Sequence, residues 1–116
     1  MSSRVTKPFK ILDAQALSAS FQSASMQTGW VDNIGIQLNV TTSANTGQFA
    51  IQGSNDNTNW ANVTVSPSIP ALAGANTVIL VNINQWPFEY IRIGFTLGTR
   101  TNGSVTAWVK EKSISG

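Results

Sequence analysis

The chain has 116 residues, no cysteine and no histidine; 10% of it is charged and the net charge is +2. Those absences exclude disulfides, thiolate and imidazole metal sites, and every catalytic triad or dyad built on His or Cys. The length allows one domain, able to bury about two-thirds of the surface that its unfolded chain exposes.

Charge is placed unevenly. Arg4, Lys7 and Lys10 lie in the first twelve residues, and Lys110, Glu111 and Lys112 lie near the end. Between them Asp13, Asp32, Asp56 and Glu89 outnumber Arg92 and Arg100, so the body lacks the basic patch that attracts nucleic acid. No run approaches the roughly 20 apolar residues of a membrane span. The basic start is not followed by an apolar run, so no signal peptide is expected and synthesis is expected in a cytoplasm. Sparse charge among many Ser, Thr, Asn, Gln and Gly suits a surface that packs against neighbours, because few ions need desolvating.

In chain order, residues 1–8 read as an extended arm, with Pro8 disfavouring helix before it, and residues 9–116 as one domain. Phe9 and Ile11 suggest a short first strand. From Ala14 to Gln27, Leu17, Phe21 and Ala24 have helical spacing, but the serines there form helix poorly; a strand with Leu17, Ala19 and Phe21 inward is favoured. Trp30 to Thr42 alternates cleanly, with Ile34, Ile36, Leu38 and Val40 on one face.

Gly47 to Trp60, GQFAIQGSNDNTNW, organises the rest. Phe49, Ile51 and Gly53 alternate with polar or small residues, and Ser54 to Asn59 is a polar turn whose Asn and Asp tolerate left-handed backbone angles. Ala61, Val63 and Val65 make the return arm of a hairpin. Pro67 and Pro70 bracket a loop to Gly74. Val78 to Ile83 is apolar enough to be buried on both faces for part of its length. Asn84 to Pro87 is a turn, Ile91, Ile93, Phe95 and Leu97 share one face of the next strand, and Gly98 to Gly103 is another turn. Val105, Ala107 and Val109 lie inward on the last strand, opposite Thr106, Trp108 and Lys110. Seven or eight strands with short polar turns make an all-β antiparallel sandwich, jelly-roll-like, whose first strands pair with the last.

Little in this chain points to catalysis. A glycosidase needs two carboxyl groups about 5–10 Å apart, and nothing brings two of the five acids together, so no enzyme, cofactor or metal site is expected. Asn55, Asp56, Asn57 and Asn59 offer oxygens to a calcium ion, but one carboxylate is a thin supply of charge and a plain turn accounts for them. Trp60 and Trp86, at loop–strand junctions, suit stacking on sugar rings or capping of the core's end. Trp108, between Thr106 and Lys110, suits a subunit contact.

GQFAIQGSNDNTNW, followed by VNINQWPFEYIRIGFTLGTRTNGSVTAWVKEKS, resembles small β-sandwich structural proteins of bacterial viruses. These carry a strand, a QGSND-type turn and a Trp, then an N-Q-x-P-aromatic-x-Y-[IL]-R unit and a closing strand. The resemblance runs from about Trp30 to Lys112. A looser one, to discoidin-like and carbohydrate-binding sandwiches, rests on the S-x-D-[GN]-x-x-W turn and the Y-[IV]-R strand.

The first resemblance implies a virion component, a capsid decoration protein or a tail accessory. Its partners would be the major capsid protein or other virion proteins and its own copies, as a symmetric oligomer such as a trimer. Arg4, Val5, Lys7, Phe9, Arg92 and Trp108 are the candidate contacts, and the arm is expected to order only against a neighbour. The looser resemblance implies a glycan- or receptor-binding module using Trp60 and Trp86. Asn39, Asn62 and Asn102 begin glycosylation triplets, which matter only in a secreted chain.

Overall fold

The computed structural model describes residues 4–5, 8–28, 33–99 and 102–113; Lys7, Trp30, Asp32 and Arg100 fall outside them. Among the described residues ten strands form two antiparallel sheets. They are β1 (Arg4–Val5), β2 (Phe9–Ala16), β3 (Phe21–Gln22), β4 (Met26–Gln27), β5 (Asn33–Thr41), β6 (Gln48–Ser54), β7 (Ala61–Asn62), β8 (Thr77–Asn84), β9 (Tyr90–Thr96) and β10 (Ser104–Ser113). Sheet A runs β2-β10-β5-β8, with β1 beside the far end of β10, and sheet B runs β3-β9-β6-β7, with β4 also on β9. This is the expected all-β antiparallel sandwich, and its first two strands pair with the last.

The two-residue period builds it. Ile34, Ile36, Leu38 and Val40 from β5 and Val105, Ala107 and Val109 from β10 meet Phe49, Ile51, Ile91, Ile93 and Phe95 from sheet B, all buried. Burying each large aliphatic side chain contributes about 1.5–3 kcal/mol. Phe95 holds the centre of sheet B's contribution, its ring centroid 4.8 Å from that of Phe49 and 5.4 Å from that of Phe21.

Three expectations are corrected. Val78 to Ile83 is not buried on both faces: Ile79, Val81 and Ile83 point inward, while Val78 and Leu80 are 60% and 62% exposed. A two-layer sandwich covers one face of each sheet, and β8 lies at an edge with β5 alone as its ladder partner. The segment from Ala14 to Gln27 holds the end of β2 and then only the short β3 and β4, with Leu17 buried, Phe21 half-buried and Ala19 exposed. The return arm of the hairpin is brief. Gln52 and Gly53 pair with Asn62 and Ala61, and Val63 N–H still donates to Ile51 O at 2.8 Å. The chain then leaves sheet B, and Ser66 exchanges two backbone hydrogen bonds with Asn82 on the outer edge of β8.

Candidate interaction surfaces

The two sheets place the candidate residues on opposite outer faces. On sheet A, register sets Lys10, Trp108, Gln37 and Leu80 in one row, with Thr106, Asn39 and Val78 beside it and Lys110, Gly35 and Asn82 on its other side. Trp108 is half-buried there. Lys10 Nζ lies 5.8 Å from the Trp108 ring centroid and 3.8 Å from Asp13 Oδ1. Gly35 leaves a gap in the row: a Cβ on it would meet nothing within 4 Å. A shallow hollow of about 240 Å³ opens there, bordered by Trp108, Leu80, Pro8, Gln37 and Lys110. Phe9 is 51% exposed and pairs with the inward-facing Val109, so it does not border this hollow.

On sheet B the centre is Arg92. Its guanidinium carbon lies 4.3 Å from the Trp60 ring centroid, and its Nε donates to Gln52 Oε1 at 2.7 Å. Gln52 Nε2 in turn donates to Asn62 Oδ1 at 3.1 Å. The Trp and the amide therefore hold the guanidinium from two directions, and among the described residues no carboxylate pairs with it. Arg92 and Trp108 cannot meet the same flat partner. The expected contact set thus divides in two, and Arg92 and Trp60, drawn from the rival readings, share one cluster.

Trp86 is corrected as a glycan contact. It is 4% exposed, packed edge-on against Phe88 at 5.1 Å between centroids, and its indole N–H donates to Thr28 Oγ1 at 2.9 Å. Stacking a sugar on it would require opening the end of the core. The arm is corrected as well, because Arg4 and Val5 already pair with Ser113 and Lys112 of their own chain. Lys7 lies outside the described residues.

The polar turn after β6 is a closed hydrogen-bond unit. Asp56 Oδ1 accepts from Asn59 N–H at 2.8 Å, Thr58 N–H at 2.9 Å and Ser54 Oγ at 2.9 Å, and Oδ2 accepts from Asn59 Nδ2 at 2.8 Å. Asn57 takes a left-handed φ of 60°. The backbone donors of Asn59 and Thr58, then the side chains of Asn59 and Ser54, hold the Asp56 carboxyl far below the usual carboxylate range. With both oxygens engaged inside the turn, Asp56 has little to offer a cation. Its lowered pKa makes a stabilising contribution that is complete above the unfolded value of about 3.9 and is lost as pH falls below it. The advantage of wild type over Asp56→Asn in thermal midpoint should therefore be present at pH 7 and shrink steadily below about pH 4. A pH-independent difference would contradict this account.

No protein-family model and no curated protein sequence matches the chain. Among solved structures, the SPBc2 prophage-derived protein YomS superposes with a TM-score of 0.65 at 11% identity, covering 97% of this chain and 96% of that one. The sandwich is a shared fold. A CBM4 structure gives a TM-score of 0.49 at 15% identity, over 97% and 77% of the two chains. At these identities the likeness is one of architecture alone.

Sequence reading missed one residue, Asn45, which is fully buried. Its Nδ2 donates to Leu17 O at 3.0 Å and Asn102 O at 3.1 Å, its Oδ1 accepts from Gly47 N–H at 2.8 Å, and its backbone O accepts from Gly74 N–H. It ties four loops together at one end of the sandwich. Within SANTG it reads as an ordinary turn residue, and only the arrival of the other three loops reveals the difference.

Proposed function

We propose that the chain is a non-enzymatic structural component of a bacteriophage virion, a decoration protein that packs against the shell and its own copies. The observation that carries this reading is the outer face of sheet A. Trp108, Leu80 and Val78 stand there among the amides of Gln37, Asn39 and Asn82, with Lys10 and Lys110 the cations beside Trp108, and the hollow over Gly35 has room for a side chain from a neighbour. An aromatic beside an apolar hollow is the usual anchor of a protein interface. Specific interfaces cover about 1,200–2,000 Å² in total, and repetition over a symmetric shell adds avidity to contacts that are weak singly. The full-length fold match to a prophage-derived protein supports a phage origin.

The test is co-sedimentation with virions at fixed stoichiometry, using variants that alter the face and spare the core. Gly35→Val fills open space on a strand, so its thermal midpoint should stay level or rise. Binding to virions should fall at least tenfold for both Gly35→Val and Trp108→Ala. Unchanged binding by both variants would remove this face from the mechanism.

The Arg92–Trp60–Gln52–Asn62 cluster favours a second reading, a saccharide- or receptor-binding module. Amides and a held guanidinium suit hydroxyl and carboxylate groups. A monomer that binds immobilised glycans, and loses this with Arg92→Leu, would favour it over packing.

A further inference from the structure

The edge of β8 is built unlike a protected sheet edge. Native edges are guarded by charges, prolines, bulges or covering segments, because their unpaired N–H and C=O groups recruit other strands. From Asn57 to Phe88 this chain has no charged residue, and Thr77–Asn84 has no proline. The direction of the free groups follows from one contact. Asn82 exchanges both backbone hydrogen bonds with Ser66, so its N–H and C=O point away from β5. By strand alternation those of Leu80 and Val78 do the same. Ser66 is the one described residue that bridges this edge outside the named strands, and it stops at Asn82. Pro67, directly after it, has no N–H to continue a ladder. A hollow of about 310 Å³ lies against the free part, between Thr77, Ile79 and the loop Pro70–Ala73.

We propose that this edge pairs with the same edge of a second copy, antiparallel about a twofold axis through Ile79. The register is self-complementary. Val78 faces the partner's Leu80 and Leu80 the partner's Val78, so both residues with outward backbone groups form hydrogen-bonded pairs. Their four exposed side chains then cover one another on the outer face of sheet A. No charge opposes another anywhere along the segment, so the symmetric arrangement meets no repulsion. The entry to β8 leaves room, because Asn76 Oδ1 accepts Thr42 N–H and Gly74 N–H donates to Asn45 O, drawing the preceding loop toward the β5 side. The two A sheets become one continuous sheet, with the Trp108 hollows on a common face. This rests on the reading that the chain works by packing with its own copies.

The experiment is sedimentation velocity of the full chain from micromolar to millimolar concentration, with amide exchange at both extremes. Expected is a concentration-dependent dimer in which the Val78 and Leu80 amides exchange at least tenfold more slowly than in the dilute monomer. Leu80→Lys should weaken the dimer at least tenfold with little change in thermal midpoint, whereas Trp108→Ala should leave it intact. A chain monomeric throughout, or a dimer whose Val78 and Leu80 amides stay fast, overturns edge pairing. So does a dimer abolished by Trp108→Ala and untouched by Leu80→Lys, which would mean face-to-face stacking. Virion binding is read separately: a monomer that still co-sediments with virions overturns the pairing alone, and a paired dimer that does not bind counts against the virion role alone.

Discussion

Asn45→Leu should bring the domain close to unfolding. The leucine has similar size but accepts nothing from Gly47 N–H and donates nothing to Leu17 O, both of which meet Asn45 in the protein interior. Asn102 O keeps only a share of the single Thr42 Oγ1 proton, at 3.1 Å against 2.7 Å to Asn102 Oδ1, so Gly47 N–H and Leu17 O are the two groups fully orphaned. A buried polar group without its partner costs about 1–3 kcal/mol, giving a loss of about 4 kcal/mol. Against a total stability of about 5–15 kcal/mol, that is a large part of what holds the domain together. The thermal midpoint should fall by about 15–20 °C, and the urea midpoint should drop with no change in slope. A loss below about 1 kcal/mol would mean that water replaces the amide and the loops do not depend on it.

Phe95→Ala should have an effect of similar size by a different route. Its ring packs with Phe49 and Phe21, and it closely approaches Gly47, where an added Cβ would collide with the ring and with Thr96 O. Removing a buried phenylalanine side chain typically costs about 3–5 kcal/mol, the transfer term plus the cavity term. The neighbouring glycine gives a check on the mechanism. Gly47→Ala alone should destabilise by overpacking, by about 1–3 kcal/mol. In the double variant the new methyl enters the space that the ring has left, so the combined loss should be smaller than the two single losses together. Strict additivity would place the Gly47→Ala penalty on Thr96 O instead of the ring. Urea unfolding of the four proteins decides between them.

The parts of the fold legible in the sequence are those where one face of a strand is apolar and the other is not. β5, β9 and β10 alternate without interruption, so which side chains face inward follows directly. The apolar run of β8 does not reveal that strand's place in its sheet: Val78 and Leu80 are as apolar as Ile79 and Val81, yet face solvent. The site residues divide along the same line. Alternation alone places Trp108 and Arg92 outward, but whether two outward residues share a face depends on which sheet each strand joins. Trp86 lies within a turn, where no periodicity applies, and the partner of its indole N–H, Thr28, is far away in the chain. Asn45 was hidden for the same reason.

The separation of Arg92 from Trp108 has a consequence for orientation. A particle component bound through one outer face must show the other to the surroundings, so the molecule carries an inside and an outside before it meets anything. If the aromatic face of sheet A seats on a shell, the guanidinium of sheet B faces the surroundings, repeated once per copy across the particle. Chemical labelling of Arg92 on intact particles would then proceed as fast as on free protein while Trp108 is shielded, and the reverse pattern would reveal a molecule mounted the other way up.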